Sequence, residues 1–328
     1  MSERKIALLG GPESGKSTYL GTLLDALDAL DEGGLNGLEK NGEAPDARPI
    51  ERLTEPLLDG NYPQRTQLGE RSSISQPLKY CDADGKTTEF TLSIGDYAGE
   101  EVERIFKDRV GGWSAQWQGQ AQSGALLLFL QPSSITPLPL LRTRAPINPP
   151  PQPPLKRFGS EPSTVFGPGV AADEPAPRQD GDSGPMRIPT MLALIELLQF
   201  IQRARGLCPG ERPPEGQMRI ALVLSAWDAI DEQWREAGPK MYLNHHMPLL
   251  VDYLWSNFQA ADVQVFGLSS TGGDLRDPAY KERYLDRAQE SGGFVDHVDV
   301  TGQINRSMDL GLPLRWALFG DVAMFGDP

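Results

Sequence analysis

Cysteine is scarce in this sequence. Cys81 and Cys208 are the only two in 328 residues, and they belong to no C-x-x-C pair. That excludes a disulfide framework and a cysteine-based zinc site. Histidine is nearly as rare: His245, His246 and His297 stand at no metal-ligand spacing from cysteine or carboxylate. No run approaches the roughly 18 apolar residues that cross a bilayer. The apolar run in the opening MSERKIALLGG is too short before its glycines for a secretory signal. Basic charge is in deficit, with 31 Lys+Arg against 45 Asp+Glu, for a net charge of −14. A chain this acidic is a poor partner for nucleic acid or anionic lipid, whose phosphates attract basic surfaces. The expectation is a cytoplasmic protein with no nucleic-acid or membrane partner.

Proline and glycine, by contrast, are abundant, at 29 and 35 residues. Fourteen of the prolines fall between Pro137 and Pro189, among Gly, Ser, Asp and Gln. Proline fixes φ and lacks a backbone donor, so this stretch is expected to be a disordered insertion at 137–189 with polyproline character near Pro149–Pro154. It interrupts what otherwise reads as a single domain over 1–328.

The rest alternates between strand and helix patterns. Apolar runs predict strands at Lys5–Leu9, Ala125–Leu130, Arg219–Leu224 and Val263–Leu268. Helical spacing predicts helices at Ser17–Leu30, Glu101–Trp117, Met191–Arg205, Lys240–Phe258 and Pro313–Phe319. Ile74–Tyr80 and Thr87–Ile94 flank Asp82-Ala83-Asp84-Gly85 and read as a hairpin. Buried strands alternating with helices predict a three-layer α/β architecture. Its sheet is mostly parallel with an antiparallel edge hairpin, and helices cover both faces. Ligands on such sheets bind beyond the carboxyl ends of the strands.

Gly10-Gly11-Pro12-Glu13-Ser14-Gly15-Lys16-Ser17 matches G-x-x-x-x-G-K-[ST] at every fixed position, between a strand and a helix. Glycines let backbone N–H groups turn inward around a phosphate, and the helix start adds partial positive charge. Lys16 can reach the β- and γ-phosphates, Ser17 can ligate Mg²⁺, and Thr18 can donate to the α-phosphate.

Three further segments follow in order. Asp96-Tyr97-Ala98-Gly99 has the D-x-x-G form, in which the Asp holds Mg²⁺ through water and the Gly N–H meets the γ-phosphate. Ser225-Ala226-Trp227-Asp228 resembles the guanine motif [NT]-K-x-D, with Ser and Ala at its first two positions and Asp228 retained to accept from guanine N1–H and N2–H. Ser269-Ser270-Thr271 resembles the loop whose backbone meets guanine O6. This order resembles that of Ras-like P-loop GTPases. Asp96-Tyr97-Ala98-Gly99-Glu100, Tyr62-Pro63-Gln64-Arg65-Thr66, Trp227-Asp228 and Leu312-Pro313-Leu314-Arg315-Trp316-Ala317-Leu318 look more narrowly like bacterial double-GTPase proteins of conflict and defence systems.

The resemblance implies GTP/GDP as ligand, Mg²⁺ as cofactor, a protein partner or effector, and a switch that hydrolyses GTP slowly. Thr66 is the candidate switch threonine for Mg²⁺ and the γ-phosphate, with Ser72 or Ser73 as substitutes. Glu100 stands where Ras-like enzymes carry a water-orienting Gln, so it is the candidate general base, beside Lys16. Arg65 and Arg104 are candidate arginine fingers. Two other readings remain open at this level: a P-loop ATPase with Asp228 structural, and a non-hydrolysing scaffold that recruits a partner through its proline-rich loop.

Overall fold

The computed structural model describes residues 2–11, 13–29, 35–64, 72–82, 84–96, 119, 121–138, 189–286, 292–299 and 301–320. Nine strands form one sheet: β1 Ser2–Gly10, β2 Leu38–Lys40, β3 Ser72–Cys81, β4 Thr87–Asp96, β5 Ala125–Leu130, β6 Arg219–Ser225, β7 Val263–Ser269, β8 Phe294–Val298 and β9 Ile304–Ser307. Their order is β2-β3-β4-β1-β5-β6-β7-β8-β9. The five from β4 to β7 run parallel. β2 and β3 extend one side antiparallel, and β8 and β9 the other. This is the three-layer α/β P-loop fold.

The helices are α1 Lys16–Ala29, α2 Arg48–Leu58, α3 Thr190–Ala204, α4 Glu232–Ala237, α5 Pro239–His246, α6 Pro248–Asn257, α7 Pro278–Asp286 and α8 Leu312–Phe319. Two apolar cores lie on the two sheet faces, as period-2 alternation requires. Ile6, Leu8, Leu127, Phe129 and Val223 pack with α1, α2 and α8. Ala7, Leu9, Leu128, Leu222 and Leu224 pack with α3, α5 and α6. Central strands covered on both sides must be apolar at consecutive positions, which is why Ala125–Leu130 is buried throughout.

The structure departs from the sequence reading in several places. The single helix predicted over Lys240–Phe258 is two, because Pro248 has no N–H to continue α5 and Met247 before it leaves helical geometry at φ −136°, ψ 51°. α2, α4, α7 and strands β2, β8 and β9 were not anticipated. The predicted hairpin is β3–β4, but short β2 lies outside it. The predicted helix Glu101–Trp117 falls outside the described residues, as does most of the proline-rich stretch. Where the chain leaves for that stretch and where it returns, Thr136 N–H donates to Thr190 Oγ1 at 2.9 Å and Thr190 N–H to Thr136 O at 3.1 Å. The excursion therefore begins and ends at one point beside α3. No helix of the described residues is long and apolar enough to cross a membrane.

The C-terminal helix is locked in by a buried ion pair. The Arg315 guanidinium on α8 meets the Asp309 carboxylate, and both side chains are almost fully buried. Asn36 Nδ2 also donates to Asp309 Oδ2 at 2.8 Å, Gly311 N–H donates to Oδ1 at 2.8 Å, and Arg315 donates to the Asn36 carbonyl. Beside this network the Tyr19 hydroxyl on α1 donates to Leu310 O at 3.1 Å, its pKa raised first by burial and then by Asp309. Removing one member of a buried pair leaves the other uncompensated. Asp309→Asn is therefore expected to lower unfolding stability in urea by about 3–5 kcal/mol. A loss below about 1 kcal/mol would mean that Arg315 finds water or another acceptor.

Candidate functional site

β1 ends at Gly10, and the chain turns through residues 11–15 into α1. Glu13 adopts left-handed φ of 57° and Gly15 φ of 86°. At Gly15 a Cβ would lie 2.9 Å from the Ser225 Cβ, so glycine lets this turn press against the end of β6. Lys16, the first residue of α1, curls back under the turn. Its Nζ donates to Gly10 O at 3.0 Å, Gly11 O at 3.0 Å and Ser14 Oγ at 2.9 Å. A buried ammonium held at the centre of a glycine-rich turn, at a helix start, is an anion cradle.

A cavity of about 470 Å³ opens beside it. Glu13, Ser14, Gly15, Lys16, Ser17 and Thr18 form one wall. Gln131, Pro132 and Ser133 after β5, and Ser225, Ala226, Asp228, Ala229 and Ile230 after β6, form the next. Tyr62, Pro63 and Gln64, with Ser270, Thr271, Gly273, Asp274 and Arg276 after β7, complete the lining.

The loop after β6 is tightly built. Ala226 sits in the left-handed region at φ 49°, ψ 43°, which for an alanine costs about 1–2 kcal/mol. Trp227 next to it is fully buried, and its indole N–H donates to Asp296 Oδ2 at 2.9 Å. Arg306 clamps the same carboxylate at 2.7 and 2.8 Å from the β8–β9 hairpin. Gly267 on β7 lies flat under the indole, where a Cβ would sit 2.6 Å from ring carbons. Asp228 is thereby presented to the cavity. Its Oδ1 accepts the Ser269 hydroxyl, and Ser269 Oγ accepts the Gly272 N–H at 3.0 Å. The following loop is braced by Tyr280, whose hydroxyl donates to Thr271 O at 2.7 Å.

The structure thus brings Glu13, Ser14, Gly15, Lys16, Ser17, Thr18, Asp228 and Ser270 to one cavity. Gly10 and Gly11 meet Lys16 through their carbonyls. Ser269 differs from its expected place: it is fully buried behind the cavity and reaches it by holding Asp228. Asp96 is the last residue of β4, at the same end of the sheet as the phosphate turn, and its side chain lies outside the described residues. Pro12, Arg65, Thr66, Gly99, Glu100 and Arg104 lie outside them too. Sequence reasoning gave no role to Gln131–Ser133, Asp274 or Arg276. The signal for the last two was the Asp-x-Arg step just past Gly272-Gly273, where Asp274 Oδ1 accepts the Arg276 N–H at 3.0 Å.

The sequence profile of the Double-GTPase 1 family matches residues 7–317. No curated protein sequence matches the chain. Among solved structures, a bacterial selenocysteine-specific elongation factor, EF-Sec, is similar at 13% identity over 88% of this chain and 29% of its own, with a TM-score of 0.33. Sup35 complexed with GDP is similar at 12% identity over 83% of this chain and 38% of its own, with a TM-score of 0.30. The chain therefore spans about a third of the length of these two proteins.

Gly267→Ala tests the packing that presents Asp228. Overpacking against the indole is expected to cost about 1–3 kcal/mol in urea unfolding. Unchanged stability would show that Trp227 has room to shift.

Proposed function

The chain belongs to the Double-GTPase 1 family, and from that premise we propose that it is a Mg²⁺-dependent GTP switch that hydrolyses GTP slowly. Membership makes it a GTP-binding protein. The observation that carries the finer reading is the Asp228 carboxylate, held by Ser269 in the cavity that also receives Lys16. A fixed carboxylate on the wall of the cavity that also receives a phosphate cradle suits guanine, whose N1–H and N2–H both donate. Adenine presents no such donor pair.

In this reading the turn at 10–16 wraps the phosphates, and Lys16 exchanges its carbonyl partners for phosphate oxygens. The backbone N–H groups at the α1 start add to the positive field. The oxygen donors Ser17, Asp96 and Thr66 suit a hard cation such as Mg²⁺, and Ser17 lines the cavity. When bound, that ion would neutralise charge between the β- and γ-phosphates. Gly99 would donate to the γ-phosphate, and Glu100 would accept a proton from the attacking water. The other reading of the same carboxylate is that it would repel the γ-phosphate and leave intrinsic turnover slow until a partner assists. The likeness to conflict-system proteins supports a signalling role with a protein effector.

Lys16→Ala is expected to weaken GTP binding by about 100-fold or more, the scale of lost charge-assisted hydrogen bonds. Calorimetry showing unchanged affinity would overturn the phosphate assignment. Asp228→Asn addresses the base. Its amide donates where the carboxylate only accepts, so GTP should weaken by about tenfold while xanthosine triphosphate improves. Wild-type protein that binds ATP as well as GTP would contradict the guanine reading.

A further inference from the structure

The segment that leads out of α2 is fastened to the loop after β7. The Tyr62 hydroxyl accepts the Leu275 N–H at 3.1 Å and donates to Asp274 Oδ1 at 3.2 Å. One residue earlier, Asn61 Oδ1 accepts from Lys281 Nζ on α7 at 2.8 Å. Gly60 lies against the same lysine, and a Cβ there would come within 2.9 Å of Lys281 Cε. Arg276 pairs with Asp274 at 3.0 Å and lies 5.9 Å from the centre of the Tyr62 ring. That ion pair is exposed and contributes little by itself. The fixed part of the contact is the tyrosine, which is half-buried.

Both partners of this contact line the cavity. Tyr62 stands on one strip of its wall, and Asp274 on the strip that continues from Ser270 and Thr271. The contact therefore ties the segment after α2 to the loop after β7 at the cavity wall. We infer that Tyr62 is a latch on the wall of the site, and that nucleotide leaves only when its two hydrogen bonds to Asp274 and Leu275 break. Tyr62 is a positioning residue in this account. It holds two walls together and sets how long a guanine nucleotide stays, without selecting the base.

This inference rests on the guanine-nucleotide reading, and release kinetics separate the two. Tyr62→Phe keeps the ring and removes both hydrogen bonds. With a fluorescent GDP followed by stopped flow, the variant is expected to release nucleotide about tenfold faster, the scale of two neutral hydrogen bonds. Because nucleotide must pass the same contact on the way in, association should accelerate as well, while the preference for GDP over ADP should match wild type. Lys281→Ala, which loosens the same contact from α7, should accelerate release by a smaller factor. A purely structural tyrosine would lower the melting temperature and leave both rates unchanged.

Release from Tyr62→Phe within about twofold of wild type would overturn the latch while leaving guanine binding intact. Failure of the wild-type protein to bind GDP would overturn the guanine reading and the latch together.

Discussion

Four parallel strands that end level with one another are the constraint on which the site depends. Gly10 of β1 stands opposite Phe129, Leu130 of β5 opposite Leu224, and Ser225 of β6 opposite Leu268. Four successive loops therefore emerge side by side: the phosphate turn, Gln131–Ser133, the Ala226–Asp228 turn and the Ser270–Arg276 loop. Ligand sites gather beyond such carboxyl ends because the loops there are free to vary while the strands beneath are fixed by burial. The registers hold because both faces are covered, so a slip of one residue would exchange the two cores.

Small residues then decide how closely the loops approach. Ser225 and Ala226 stand where the guanine motif that this segment resembles carries Asn or Thr and then Lys. With no long side chain there, the turn at Gly15 rests against Ser225, and Gly267 rests against Trp227. Rigidity comes instead from outside the loop. Trp227 hangs on Asp296, Asp296 on Arg306, and Asp228 on Ser269. The β8–β9 hairpin thus supports the turn after β6 although it lies beyond β7 in the sheet.

The sequence exposed those parts of this arrangement whose signals are local. A phosphate turn is eight contiguous residues between a strand and a helix, and Ala125–Leu130 is apolar throughout because both its faces are covered. The β3–β4 hairpin announced itself by its Asp-Gly turn. β2 and β9 are too short to show a period, and the break at Pro248 was hidden by apolar spacing that runs on across it. Tyr62 and Asp274 are separated by 212 positions and meet only when the sheet has formed. Ser269 reads like Ser270 because both stand in the Ser-rich stretch at the end of β7, and Ser270 lines the cavity. Strand alternation turns Ser269 inward, where its hydroxyl finds Asp228 instead.

The central claim is that the cradle at Lys16 and the carboxylate at Asp228 together hold one guanine nucleotide. The most direct measurement is to purify the protein in the presence of Mg²⁺, denature it, and identify the released nucleotide by chromatography against standards. The account expects GDP or GTP, approaching one per chain and with negligible adenine nucleotide. Adenine nucleotide in that proportion, or no nucleotide from protein that also fails to take up added GDP, would contradict it.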